Sequence, residues 1–237
     1  MDERNDNFIG IGIYGVPDAA RLTQVPARRI HRWVKGYAYK TEAGEWKPSA
    51  PIWQRQLPII DGKVALGFRD LIEVRVVNAM LNHDISWPTI KRVHQHAQDL
   101  FKVDHPFATS LFRTDGRTVF IDLKDGRGGQ SLLDLAESQY AFRNLINPYL
   151  EHIEFNSKKQ AMRWWPMGES RSIVVDPGRN FGQPIVSDAG VPTAVLAAAV
   201  KVEGSAESVA KWYAVKLRSV RAAVEFENQL SEKQLVA

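Results

Sequence analysis

The chain has 237 residues, 44% hydrophobic and 24% charged, with a formal net charge of +4. That is enough chain to bury a core without covalent staples, and the lack of cysteine excludes disulfide frameworks, thiolate zinc sites, iron–sulfur clusters and cysteine nucleophiles. The polar start predicts no signal peptide. The longest apolar stretch, residues 191–202, contains Pro192 and Lys201 and falls short of the ~20 residues a membrane span needs, so a cytoplasmic protein is expected.

In chain order, residues 1–12 read as a frayed lead-in. Residues 17–23 and 27–35 predict two short helices joined by Gln24-Val25-Pro26. Residues 37–58, rich in Pro, Trp and Tyr with Gly44 as a turn signal, read as a hairpin or ordered loop. Apolar residues recur at helical spacing in Leu66–Leu81 and in Trp87–Phe101. Ser86 is placed to cap the second of these, with Pro88 in its first turn. Leu111–Arg113 and Thr118–Leu123 flank Asp115-Gly116 and predict a hairpin. Ser131–Leu145 predicts a helix broken by Asn147-Pro148. His152–Phe155, Met162–Trp165 and Ser172–Val175 predict short strands, and helices are expected over 193–202, 206–214 and 217–229. The fold class is α+β, mainly helical. The expected organisation is an N-terminal domain over 1–105, a mixed α/β connecting region over 106–168 and a C-terminal hairpin with three helices over 169–237.

The charge is not spread evenly. Seven Lys/Arg and two acids fall between Arg21 and Lys47. In the helix expected over 27–35, Ile30, Trp33 and Val34 share one face, while Arg28, Arg32 and Lys35 share the opposite face at i, i+4, i+7, flanked by Arg29 and His31. Such a like-charged, acid-free helix repels itself, and a polyanion relieves that repulsion. Two readings fit: a solvated face, or the second helix of a helix-turn-helix entering the DNA major groove. Tyr37, Tyr39, Lys40, Trp46 and Lys47 would then form a wing touching phosphate or the minor groove; alternatively Trp46 and Trp53 pack on the helices.

Other signals lead nowhere specific. Gly10-Ile-Gly-Ile-Tyr-Gly15 matches a dinucleotide fingerprint literally, but lacks the preceding strand and the acid ~20 residues on. His94 and His96, two apart on a helix, cannot chelate one metal together, and with His83 and His105 they read as solvated histidines. No metal site, cofactor or catalytic motif is recognised, so a non-enzyme is expected.

The stretches Tyr14-Gly-Val-Pro-Asp-Ala-Ala-Arg-Leu22, Ile30-His-Arg-Trp33 and Leu66-Gly-Phe-Arg-Asp-Leu-Ile-Glu-Val-Arg-Val-Val77 resemble a MerR-type winged helix-turn-helix. They most resemble the version at the N-terminus of VapB-type antitoxins of bacterial toxin–antitoxin pairs. Gln24 stands where such helix pairs favour a turn glycine, and Pro26 where they favour a capping serine. The C-terminal part resembles a small domain of these antitoxins through Ile173-Val-Val-Asp-Pro177, Phe181-Gly-Gln-Pro-Ile-Val186, Val191-Pro192, Gly204-Ser205, Tyr213 and Val220-Arg-Ala-Ala-Val224. Here Asp188-Ala-Gly190 replaces that family's Gly-Thr-Arg.

The resemblance implies an antitoxin that represses its own operon by binding double-stranded operator DNA and neutralises a PIN-type ribonuclease toxin. A protein-interaction module, or a stand-alone MerR-like regulator without a toxin, remain the rival readings. The expected DNA contacts are Arg28, Arg29, His31, Arg32, Lys35, Lys40 and Lys47. For the partner protein, Arg218 and Arg221 suit the acidic site of a metal-dependent ribonuclease, and Leu230 and Leu235 suit an apolar groove. A homodimer is expected from the apolar Val195, Leu196, Val200, Val209, Trp212, Val220 and Val224 on the C-terminal helices.

Overall fold

The computed structural model describes residues 8–116 and 146–236. β1 (Tyr14–Gly15) runs straight into α1 (Val16–Thr23), and α2 (Ala27–Lys35) follows after a short turn. Asp18 fixes the start of α1 by accepting from the Gly15 amide at 3.2 Å. β2 (Tyr37–Lys40) and β3 (Trp46–Ser49) form an antiparallel hairpin. Gly36, at φ +79°, joins α2 to this hairpin, and a Cβ there would lie 2.6 Å from the Ser49 carbonyl oxygen; no other residue fits. β4 (Ile59–Ile60) and β5 (Lys63–Leu66) complete a three-stranded sheet in the order β1-β5-β4.

α3 (Phe68–Asn82) is the central element. Phe68, Leu71, Ile72, Val74, Val76, Val77, Ala79 and Met80 are all buried, so the helix is covered on every side. Asp70 and Glu73 are buried with them, and an unanswered buried carboxylate costs several kcal/mol. Asp70 accepts from Trp53 Nε1 (2.8 Å), the Gly67 amide (2.8 Å) and the Gln56 amide (3.1 Å), and lies 2.8 Å from His105 Nε2. Glu73 accepts from the Phe107 amide at 2.9 Å and lies 3.4 Å from His94 Nε2. His94 and His105 are therefore interior residues, not solvated histidines: His105 is hydrogen-bonded to Asp70, and His94 lies beside Glu73.

α4 (Trp87–Phe101) begins where expected, with the Ser86 hydroxyl accepting from the Thr89 amide. The hairpin expected around Asp115-Gly116 is not there on its first side: residues 110–116 are helical. The Thr109 hydroxyl caps that helix, accepting from the Phe112 amide at 3.1 Å, and Phe112 packs on Phe107 with ring centroids 4.5 Å apart. The strand expected over 118–123 and the helix over 131–145 lie outside the described residues. Asn147 and Pro148 open a one-turn helix, Asn147–Leu150, with Pro148 in its first turn.

β6 (Ile153–Phe155), β7 (Ala161–Trp164), β8 (Ile173–Val175) and β9 (Pro184–Val186) form an antiparallel sheet in sequential order. Strands on both sides of residue 168 thus share one sheet. α5 (Thr193–Glu203) and α7 (Leu217–Val236) pack against it, and α6 (Ala206–Trp212) packs on these two helices. α5 ends at Gly204 and Ser205 caps α6. α7 continues past residue 229, because Phe226 and Leu230 are buried and Glu227 is engaged by Arg21 at 2.7 Å. One apolar cluster runs from Tyr14 to Leu230. The fold is mixed α+β with small antiparallel sheets and, among the described residues, no helix long and apolar enough to cross a membrane.

Candidate nucleic-acid interface

α1 and α2 pack against each other through Ala19, Leu22, Ile30, Trp33 and Val34, with Val25 of the turn buried between them. The turn closes although its residue 24 is not glycine. Gln24 takes the left-handed conformation (φ 58°), and its side-chain amide donates to the Arg21 carbonyl. The same amide lies 3.4 Å from the Leu230 carbonyl oxygen. Pro26 precedes α2 without a side-chain cap; the Arg29 amide donates instead to the Pro26 carbonyl at 2.8 Å.

This leaves the second helix standing out from the molecule. Arg28, Arg29, His31, Arg32 and Lys35 are all exposed, and none makes an ion pair among the described residues. Arg32 lies over the ring of Tyr37 at 3.9 Å, a cation–π contact that ties the helix to the hairpin. The register of that hairpin sorts its side chains: Tyr37 faces Ser49 and Tyr39 faces Lys47 on one side, while Ala38 faces Pro48 and Lys40 faces Trp46 on the other. Tyr37 and Tyr39 are 6.1 Å apart between centroids. Lys47, Tyr39 and Tyr37 therefore continue the surface of Arg32, and Lys40 lies on the reverse. Glu42 and Glu45 make the exposed tip acidic.

The two tryptophans of this region separate. Trp53 is 3% exposed and donates to Asp70; Trp46 is 70% exposed. A cleft of about 640 Å³ opens beside α2, between it and the α3–α4 corner, bordered by the three arginines of α2, Trp33, Tyr37, Leu81, Asn82 and Trp87. Sequence reasoning missed Leu81, Asn82 and Trp87, because nothing in a linear pattern brings residues about fifty positions downstream against α2.

Gly10 to Gly15 forms no phosphate loop. It begins in a turn, with Gly10 and Gly12 at positive φ, and is held on both sides: the Ile13 amide donates to the Phe181 carbonyl at 2.9 Å, and the Phe68 amide to the Ile11 carbonyl at 2.8 Å. The Tyr14 hydroxyl, donating to the Gly182 carbonyl at 2.9 Å, is raised far above its usual pKa by burial, with a smaller push from Asp176.

The C-terminal candidates are scattered. Arg218 is exposed; Arg221 is exposed but paired with Glu207 at 2.8 Å. Leu230 is 7% exposed, packed inside the chain's own core and unavailable to a groove on another protein. Leu235 lies in the last turn of α7, and its side chain is outside the described residues. Of the apolar residues expected to drive dimerisation, Leu196, Val209 and Val220 are buried within the chain, while Val195 and Trp212 are exposed.

No protein-family model matches the chain. A curated protein of Mycobacterium tuberculosis named "Putative antitoxin VapB45" is 26% identical over 236 residues, spanning 94% of this chain and 97% of that protein. A crystal structure of Rv2018 from Mycobacterium tuberculosis superposes with a TM-score of 0.70 at 23% identity, covering 91% of this chain and 99% of that one. This likeness supports the fold.

Proposed function

We propose that the chain is a DNA-binding antitoxin, a non-enzymatic cytoplasmic protein that represses its own operon and neutralises a PIN-type ribonuclease. The observation that carries the DNA half is the exposed, acid-free face of α2, continued by Tyr37, Tyr39 and Lys47 of the hairpin. Cationic side chains left without partners suit phosphate, and arginines on a protruding helix suit base edges in a major groove. The antitoxin half draws on the Mycobacterium tuberculosis relative, similar over 94% of this chain and named as an antitoxin. A homodimer would present two such helices to half-sites about one helical turn, ~34 Å, apart. Of the two C-terminal arginine candidates, Arg218 is the one without an ion pair among the described residues, open to an acidic partner.

The test has two arms. Fluorescence anisotropy against the chain's own upstream DNA, across a salt series, should give log K falling linearly with log salt. Absence of salt-dependent binding would overturn the DNA half. Co-purification with the product of the adjacent gene, and rescue of growth when that product is expressed, tests the other half. DNA binding without capture favours a stand-alone regulator.

A further inference from the structure

The cleft beside α2 has a composition that major-groove reading does not require. Arg28, Arg29 and Arg32 border it, with no acidic residue among its lining groups. Two stacked indoles, Trp33 and Trp87, with centroids 5.8 Å apart and planes at 27°, are among its lining residues, and the Lys91 ammonium lies 5.8 Å from the Trp87 ring centroid. Trp33 is buried, and the Trp87 Nε1–H is buried without a hydrogen-bond partner among the described residues. Its volume of about 640 Å³ lies in the range of small-ligand sites. Guanidinium groups favour phosphate, aromatic rings favour a stacked base, and Asn82 adds an amide at the rim that can donate and accept.

We propose that this cleft binds a free nucleotide, with its base against Trp87 and its phosphate on Arg28, Arg29 and Arg32. The same arginines are those assigned to DNA, so the two ligands exclude one another and a nucleotide acts as an effector that releases the operator. The proposal rests on the DNA-binding reading for its consequence, but not for the binding itself. Base stacking separates it from a mere concentration of positive charge, since a ribose phosphate offers the charge without the base.

The experiment is calorimetric titration of the full-length chain with AMP and GMP, and with adenosine and ribose 5-phosphate as the two halves. One-site binding of a nucleoside monophosphate is expected, with each half at least about tenfold weaker. Trp87→Ala and the double variant Arg28→Ala/Arg32→Ala should each weaken nucleotide binding by about tenfold or more. Trp87→Phe, which keeps a ring in place, should recover most of the loss in Trp87→Ala and guards against a folding artefact. The nucleotide should raise the apparent Kd for upstream DNA in proportion to its occupancy. Ribose 5-phosphate binding as well as AMP, or Trp87→Ala binding as well as the parent, would overturn the site. A chain that binds DNA but no nucleotide sinks this proposal and leaves the DNA reading standing. One that binds nucleotide but no DNA supports the cleft and sinks the DNA reading.

Discussion

α2 and α3 each carry four formal charges, and the molecule treats the two sets in opposite ways. On α3, Arg69, Asp70, Glu73 and Arg75 balance to zero, and the fold answers its carboxylates with a tryptophan, His105 and backbone amides, with His94 Nε2 3.4 Å from Glu73. Arg75 lies over Trp164 at 3.9 Å, and burial presses its pKa down to about 10. On α2, Arg28, Arg29, Arg32 and Lys35 sum to four positive charges, all exposed, without an ion pair among the described residues. Charges whose partners lie inside the chain serve the fold. Charges left open are available to a partner of opposite sign. Charge number alone does not distinguish the two helices; burial and partners do.

The comparison can be broken most sharply at Asp70. Replacing it by Ala leaves Trp53 Nε1, two backbone amides and His105 without their acceptor, and should cost about 3–5 kcal/mol of folding stability. Urea unfolding measures it; a loss below about 1 kcal/mol would mean that the buried network is incidental. The mirror experiment on α2 is Arg28→Ala/Arg32→Ala. Each arginine that reads a base should cost about 1–3 kcal/mol of DNA binding. Stability should stay within about 0.5 kcal/mol, as for other exposed positions. A double variant that binds upstream DNA like the parent would return α2 to the status of a solvated face.

This division was half legible in the sequence. The nine residues of α2 show their two faces by period alone, since Ile30, Trp33 and Val34 alternate with the arginines. Gly44 marked the hairpin, and Ser86 with Pro88 marked the start of α4. The role of Asp70 was not legible, because its partners Trp53 and His105 are 17 and 35 residues away and no local pattern records the pairing. His94 and His105 were misread for the same reason, whereas His83 is exposed as expected. Residues 110–116 were misread because Asp115-Gly116 is a turn signal that the Thr109 cap and the burial of Phe112 override.

A third contact tests how firmly the open helix pair is held by the answered part. Arg21 of α1 reaches Glu227 of α7 at 2.7 Å, and the Glu227 carboxylate also accepts from the Thr193 hydroxyl. Side-chain exposures of 30% and 15% place this pair between surface and interior. Glu227→Gln should therefore cost about 1 kcal/mol, below the value of a fully buried charged hydrogen bond. Hydrogen exchange should speed up in α1 while the amides of α4 stay unchanged. Unchanged protection in α1 would mean that apolar packing alone fixes the helix pair on the C-terminal helices.

The smallest effect expected is at the hairpin, and it separates two lysines that composition treats alike. Lys47 shares a face with Tyr39 and Tyr37, against which Arg32 lies; Lys40 is on the reverse beside Trp46. Strand side chains alternate by face, so one DNA surface laid along α2 meets Lys47 and not Lys40. The acidic tip, Glu42 and Glu45, keeps phosphate from approaching end-on. Lys47→Ala should weaken binding to all sequences alike by a few-fold and lower the slope of log K against log salt by about 0.9, the signature of one lost phosphate contact. Lys40→Ala should leave the slope unchanged. Equal slopes for the two variants, both reduced, would place DNA around the edge of the hairpin. A reduction at Lys40 alone would turn the hairpin over and detach Arg32 and Tyr37 from the interface.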